Sequence, residues 1–273
     1  MAKLFTSSKE IVFLKLGGSL ITNKSRAYTA EYKVINEMAR QIKKALSINP
    51  NLLLFIGNGA GSFAHYPAQL YSIKDGIKTK SQEFGFCLVQ DAAARLNRII
   101  IEALLKVKVK AFSLQPSAMI TTENGSIKKF FIEPFIELIQ KKVVPVFYGD
   151  IVNDTKRGSS ILSTEQLIVA LTLRLIKKGF KVKRIIHNGI TRGVLDEKGN
   201  LISKISLSNI RKLKNIFTKT AGFDVTGGMF HKVQASLSLV KLGIKTIIIN
   251  GLSEKDLLTR ALLGDSVSGT VIE

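Results

Sequence analysis

The sequence predicts an α/β fold, a three-layer αβα sandwich around a mainly parallel central sheet. Three observations predict it. Short apolar runs alternate with segments of helical period along the chain. The runs are continuously apolar, as expected of strands buried on both faces of a parallel sheet. Several of them end in glycine, where ligands of open α/β sheets gather.

Taken in order, "IVFLKLGG" (11–18) reads as a strand running into a glycine turn, and "EYKVINEMARQIKKALS" (31–47) as a helix. "NLLLFIGNG" (51–59) is a buried strand, a long helix covers 81–106, and "KAFSLQ" (110–115) is a strand stopped by Pro116. "GSIKKFFIEPFIELIQKK" (125–142) reads as a hairpin or strand leading into a helix, and "VVPVFYGDIV" (143–152) as one strand. "STEQLIVALTLRLIKKGF" (163–180) is a helix with Ser163 or Thr164 as N-cap and Glu165 in its first turn. "VKRIIHNGI" (182–190) and "IKTIIINGL" (244–252) are strands ending in Asn-Gly, with the amphipathic helix "GGMFHKVQASLSLVKLG" (227–243) between them. No repeat, low-complexity tract or linker divides the chain, so the expectation is one folded unit with two lobes, about 1–165 and 166–273.

Composition narrows the function. No run of about 18 uninterrupted apolar residues exists, so no membrane span is expected. The start, "MAKLFTSSKE", lacks a secretory apolar stretch, and the single cysteine, Cys87, cannot form an internal disulfide, so cytoplasm is the expected compartment. Cys87 in "FGFCLVQ" reads as a small buried side chain. Forty-one Lys and Arg against 20 acidic residues give a net charge of +21, which raises the question of a nucleic-acid surface. The basic residues are dispersed, Trp is absent and no nucleic-acid motif is found, so nucleic acid is not expected as the primary partner. A phosphate-handling enzyme explains the charge as well.

Glycine turns follow four strand ends: "KLGGSL" (15–20), "GNGAGS" (57–62), "FYGDI" (147–151) and "TGGM" (226–229). Successive backbone amides before a helix start hold anions without charged side chains. Neither the G-x-x-x-x-G-K-[ST] loop nor G-x-G-x-x-G is present, Ser62 standing where the last glycine would be. Lys15 lies inside an apolar strand, where an ammonium is costly unless it meets an anion. Lys24 follows the same glycine turn. Lys232 falls on the first turn of the helix after "TGGM" and reads equally as a phosphate contact or a solvated face. His187 and His231 have no distinctive spacing, and no His/Asp/Glu cluster points to a protein-held metal.

"LKLGGSLIT.K", "GAGSFAH", "FGFCLVQ", "LQPSAMI", "PVFYGDIV", "DVTGGMFHKV" and the closing "RALLGDSVSGTVI" occur in the order seen in isopentenyl phosphate kinases, and the chain resembles that family of the amino acid kinase superfamily over nearly its whole length. The resemblance implies an amino acid kinase-like fold. It also implies transfer of phosphate from ATP, with Mg2+, to isopentenyl phosphate in isoprenoid biosynthesis, and a homodimer. Carried over by position, Lys15, Gly17, Gly18, Ser19, Gly61, Gly228 and Lys232 would contact the nucleotide. Lys24, with Lys15 and His65, would serve catalysis by stabilising and orienting the phosphates. Gly59, Ala60, Gly61, His65, Thr164 and Glu165 would line the acceptor site. Phe84, Phe86 and Cys87 would wall the isoprenoid tail. A kinase of another small phosphate or phosphonate, similar to fosfomycin kinases, shares the histidine-bearing loop, and a catalytically lost binding paralogue, or a basic nucleic-acid binder, is the alternative from another class.

Three departures from the family pattern carry expectations. Ala64 replaces a glycine and would tighten the turn before His65. Thr164 and Glu165 replace Gly-Asp. "GITRGV" (189–194) replaces Thr-Asp-Val-Asp-Gly-Val, putting Arg192 where an acidic residue is usual, in the expected ribose and base contacts.

Overall fold

The computed structural model describes residues 10–209 and 227–273. The strands are β1 (Glu10–Leu16), β2 (Leu53–Asn58), β3 (Ala111–Ser113), β4 (Ile120–Glu123), β5 (Ser126–Phe130), β6 (Val144–Tyr148), β7 (Asp150–Asp154), β8 (Gly158–Leu162), β9 (Lys181–Asn188), β10 (Lys204–Ile205), β11 (Lys245–Ile249) and β12 (Thr270–Ile272). The helices are α1 (Gly18–Ile21), α2 (Tyr32–Ile48), α3 (Gly61–Leu70), α4 (Lys80–Lys106), α5 (Pro116–Met119), α6 (Glu133–Gln140), α7 (Thr164–Lys177), α8 (Gly227–Val240) and α9 (Leu257–Leu263).

Among the described residues, eight strands form the main sheet in the order β10-β12-β11-β9-β1-β2-β6-β3, and only the β11–β12 pair is antiparallel. Alternation along β1 builds the layers, since successive side chains leave opposite faces. Val12, Leu14 and Leu16 pack with α2, α4 and α9 on one face. Ile11 and Phe13 pack with α6, α7 and α8 on the other. In that second core Phe13 lies 5.0 Å from Phe55, which stacks on Phe135 at 6.0 Å. Burying such a ring contributes about 1.5–3 kcal/mol, so this cluster anchors α6 firmly to the sheet. The same alternation brings Lys15 to the α7 face, at the end of β1 where the packed core gives way to a cleft.

The expected strand 143–152 is in fact two. Gly149 separates β6, in the main sheet, from β7, which enters a second sheet of order β5-β4-β7-β8. The break is held by a bond from Gly149 N–H to Asn58 O at 3.0 Å. A Cβ on Gly149 would stand 3.2 Å from Thr164 Oγ1, so the chain turns where a side chain would be crowded by the start of α7. The small sheet is tied together by Asp154. Its carboxylate accepts from Thr122 Oγ1 (2.8 Å) and from the amides of Asn124 (3.1 Å), Gly125 (2.8 Å), Lys156 (2.9 Å) and Arg157 (2.9 Å).

Two local expectations are corrected. Cys87 is exposed, because it lies on the outer side of α4, whose buried stripe runs through Gly85, Val89 and Ala92. Ala64 lies within α3 rather than in a turn, and its methyl group packs with Ile73, Val89, Ala93, Tyr148 and Ile151.

Candidate active site

The carboxyl ends of β1, β2, β6 and β9 and the start of α7 enclose a cleft of about 590 Å3. Lys15, Gly17, Gly18, Ser19, Lys24, Gly59, Ala60, Gly61, His65, Thr164, Glu165 and Lys232, all expected site residues, line it. Gly228 stands in the first turn of α8, and its surroundings, like Thr226 before it, lie outside the described residues. Because α8 begins at Gly227, Lys232 stands on its second turn, not its first.

Two bare backbone loops meet at the cleft floor. A Cβ on Gly18 would stand 2.6 Å from Gly61 N, and one on Gly59 would stand 2.7 Å from Gly18 N. Gly61 also has a φ of +53°, a left-handed conformation that favours glycine. Thr22 ties the two loops, donating to Gly18 O at 2.7 Å and accepting from Ser62 N–H at 3.0 Å. The glycines are therefore demanded by a close approach as well as by the turn. Ser62 lines the cleft, and its Oγ is buried with no hydrogen-bond partner among the described residues.

Lys15 is 6% exposed and forms an ion pair with Glu165. Burial pushes the Glu165 carboxyl up, but the Lys15 ammonium outweighs it and holds the carboxyl well below its usual range. Ser163 caps α7, accepting from Gln166 N–H at 3.2 Å, while the Gln166 side chain accepts from Ser163 N–H at 2.8 Å. The capping box fixes the first turn and so fixes Glu165 over Lys15. Thr164 does not offer its hydroxyl to the cleft, because Oγ1 donates to Asn58 O at 2.7 Å.

His65 is exposed on α3 at the cleft wall. The surrounding protein lowers its pKa, and the charges of Lys24 and Lys15 lower it further, so the ring is neutral at neutral pH. Ala64, Ala68, Val89 and Ile161 are among the apolar residues that line the cleft. The expected wall of Phe84, Phe86 and Cys87 is not there. Phe84 is 60% exposed and packs on Tyr71, Phe86 turns into the cluster behind Ala64, and of this segment only Val89 reaches the cleft. Arg192 is exposed and outside the lining, whereas Gly189, Ile190 and Thr191 line it.

Three cleft-end groups escaped sequence reasoning. Asp150, buried at the start of β7, accepts from Ser117 N–H (3.0 Å) and Ile151 N–H (2.9 Å), yet burial pushes its carboxyl up to about 6. A carboxylate directly after the "YG" strand end was the signal for it. Asn58 accepts from Asn97 Nδ2 at 2.9 Å and gives its carbonyl to both Gly149 and Thr164. His187 is buried in the cleft floor, where its spacing marked nothing.

A glycine-bedded, lysine-rich cleft at strand ends suits phosphoryl groups, and known proteins bear on this. A profile described as the amino acid kinase family matches residues 10–250. The chain belongs to the amino acid kinase family. This kinase is 33% identical over 270 residues to the isopentenyl phosphate kinase of Methanocaldococcus jannaschii, covering 96% of this chain and 98% of that protein. It is 34% identical over 271 residues to the isopentenyl phosphate kinase of Methanothermobacter thermautotrophicus, again covering 96% and 98%. Among solved structures, an isopentenyl phosphate kinase superimposes with a TM-score of 0.79 at 31% identity, covering 97% of this chain and 100% of that one.

Proposed function

We propose that this kinase transfers the γ-phosphoryl group of ATP to isopentenyl phosphate, giving isopentenyl diphosphate and ADP. The observation that carries the reading is the joint character of one cleft. Its glycine floor and Lys15, Lys24, Lys232 and His65 suit phosphates, while Ala64, Ala68, Val89 and Ile161 offer an apolar wall to a short hydrocarbon tail. Similarity to named isopentenyl phosphate kinases over nearly the full chain supports it.

The acceptor phosphate already carries an anionic oxygen, so attack on the γ-phosphorus needs no general base. The bond from that phosphorus to the β,γ-bridging oxygen breaks as the new one forms, and ADP leaves with the electron pair. What the protein supplies is alignment and charge neutralisation. Lys15, Gly17, Gly18, Ser19, Gly61, Gly228 and Lys232 hold the nucleotide. Gly59, Ala60, Gly61 and His65, with the first turn of α7 (Thr164, Glu165), define the acceptor end. Lys24 faces the transferring group. Neutral His65 donates a hydrogen bond to the acceptor and is not itself phosphorylated. The glycine bed and the unpartnered Ser62 Oγ fit the ATP phosphates. Mg2+ would be carried in by the nucleotide, neutralising phosphate charge. Residues up to about 165 form the acceptor lobe and those from 166 the nucleotide lobe, in a cytoplasmic homodimer.

Coupled ADP release with isopentenyl phosphate, dimethylallyl phosphate and fosfomycin tests this reading. Turnover is expected with the first two, and fosfomycin as the sole substrate would overturn the isoprenoid assignment. His65→Ala should raise the acceptor KM at least about tenfold while leaving the ATP KM within about twofold, the loss expected for one charge-assisted contact. Equal increases would make His65 structural.

A further inference from the structure

His187 lies on β9 beside Lys15 on β1, the two residues paired across the parallel ladder on the same face of the sheet. It is 5% exposed, lines the cleft, and its Nδ1 is buried with no hydrogen-bond partner among the described residues. The charged groups facing it are Glu165 from α7, Lys15 from β1 and Lys232 from α8, and Ile248 of β11 is its apolar neighbour on the other side. A buried polar nitrogen without a partner is costly, so one is expected to appear in another state of the site.

That state is ligand binding, on the reading that Lys15 contacts the phosphates of the nucleotide. An arriving polyanion competes for the ammonium that Glu165 now holds. A buried carboxylate stripped of its ammonium is far costlier than an unpaired imidazole nitrogen. One movement of the carboxylate can remove both deficits, because Glu165 pairs with Lys15 and its charge acts on His187, the neighbour of Lys15 across the ladder. We propose that His187 is a positioning residue that takes over Glu165 when phosphate draws Lys15 away, its Nδ1–H then donating to the freed carboxylate. The site thus exchanges one partner of Glu165 for another, and Lys15 reaches the nucleotide without stranding a buried charge. Burial, reinforced by the charges of Lys15 and Lys232 and opposed by Glu165, lowers the imidazole pKa, so the ring can play this part as a neutral donor.

Three substitutions separate donor chemistry from packing. His187→Leu should raise the KM for ATP about tenfold, as expected when a buried charged group loses its hydrogen bond, with little change in the acceptor KM. His187→Asn, whose amide nitrogen stands where Nδ1 stood, should recover most of that loss. His187→Gln, which places its amide where Nε2 stood, should not. Equal behaviour of the three variants would overturn the proposal. A measurement on the unaltered protein stands independently of how the variants fold. With 15N-histidine and 15N-glycine labelling and titration with β,γ-methylene ATP, the His187 Nδ1 resonance should move to that of a hydrogen-bonded donor, and should not do so in Glu165→Ala. If the amides of Gly17 and Gly18 shift and His187 does not, the exchange does not occur and the proposal falls alone. If neither shifts, the nucleotide reading of the cleft falls and the proposal falls with it.

Discussion

Strand β7 carries a buried carboxylate at each end, Asp150 at the cleft and Asp154 in the small sheet, and the two are built in opposite ways. Asp154 accepts five hydrogen bonds, four of them from backbone amides that turn around it. Burial pushes its carboxyl up, but the bonds from Gly125, Arg157, Lys156 and Thr122 more than reverse this and hold it far below the ordinary range. Asp150 accepts from the amide and the side chain of Ser117 and from the amide of its own neighbour Ile151, and burial prevails, raising its carboxyl to about 6. One end is saturated and closes a hairpin. The other has fewer partners and lines the cleft. The difference shows where this fold keeps polar groups satisfied and where it leaves them available.

The contrast can be broken most severely at its saturated end. Asp154→Ala strands five donors and should lower unfolding stability by about 3 kcal/mol or more, read by urea denaturation. At the cleft end, Gly18→Ala should cost less stability than Asp154→Ala but lower kcat/KM on the order of 100-fold, because the loops must separate to admit the methyl group. A stability loss at Gly18 as large as that at Asp154 would erase the distinction.

The pH dependence sharpens the same comparison. Asp150 binds its proton more tightly folded than unfolded, so its contribution is fully present below about pH 4 and is lost as pH rises through about 6. Asp154 is the opposite case, stabilising above the ordinary carboxylate range and losing that contribution as pH falls through and below it. Asp150→Asn should therefore gain on the unaltered protein between pH 4 and pH 7, a relative swing on the order of 3 kcal/mol. No such gain in denaturation midpoints across that range would show that Asp150 is better solvated than its surroundings imply. The smallest effect is expected at Phe84. Its ring lies outside the cleft, so Phe84→Ala should leave the KM for isopentenyl phosphate within about twofold, the size of an exposed-surface change.

The three-layer plan was legible because the main-sheet strands are continuously apolar and the large helices carry clear buried stripes. The small sheet was not, since "ITTE" and "GSSIL" are short, polar and only partly buried. One signal for it was present, Asn124-Gly125 with φ of 50° and 79°, the pair that a two-residue hairpin favours. Helix α3 was masked by its glycine start and by Pro67 in its interior. Lys15 could be picked out because an ammonium inside an apolar strand demands an anion. His187, equally buried on the neighbouring strand, could not, for histidine is tolerated in cores and only the structure reveals its unpartnered nitrogen. The Phe84–Cys87 wall was misjudged because helical phase, not apolarity, decides which residues face a cleft.

The contact of Gly18 with Gly59 and Gly61 has an evolutionary consequence. Neither loop can drift in sequence by itself, since any side chain on one must be matched by retreat of the other, and retreat would pull two reacting groups apart. The two loops are therefore expected to change only together. Side chains can change more freely at residues that border the cleft without touching that seam, such as Ala68, Val89 and Ile161.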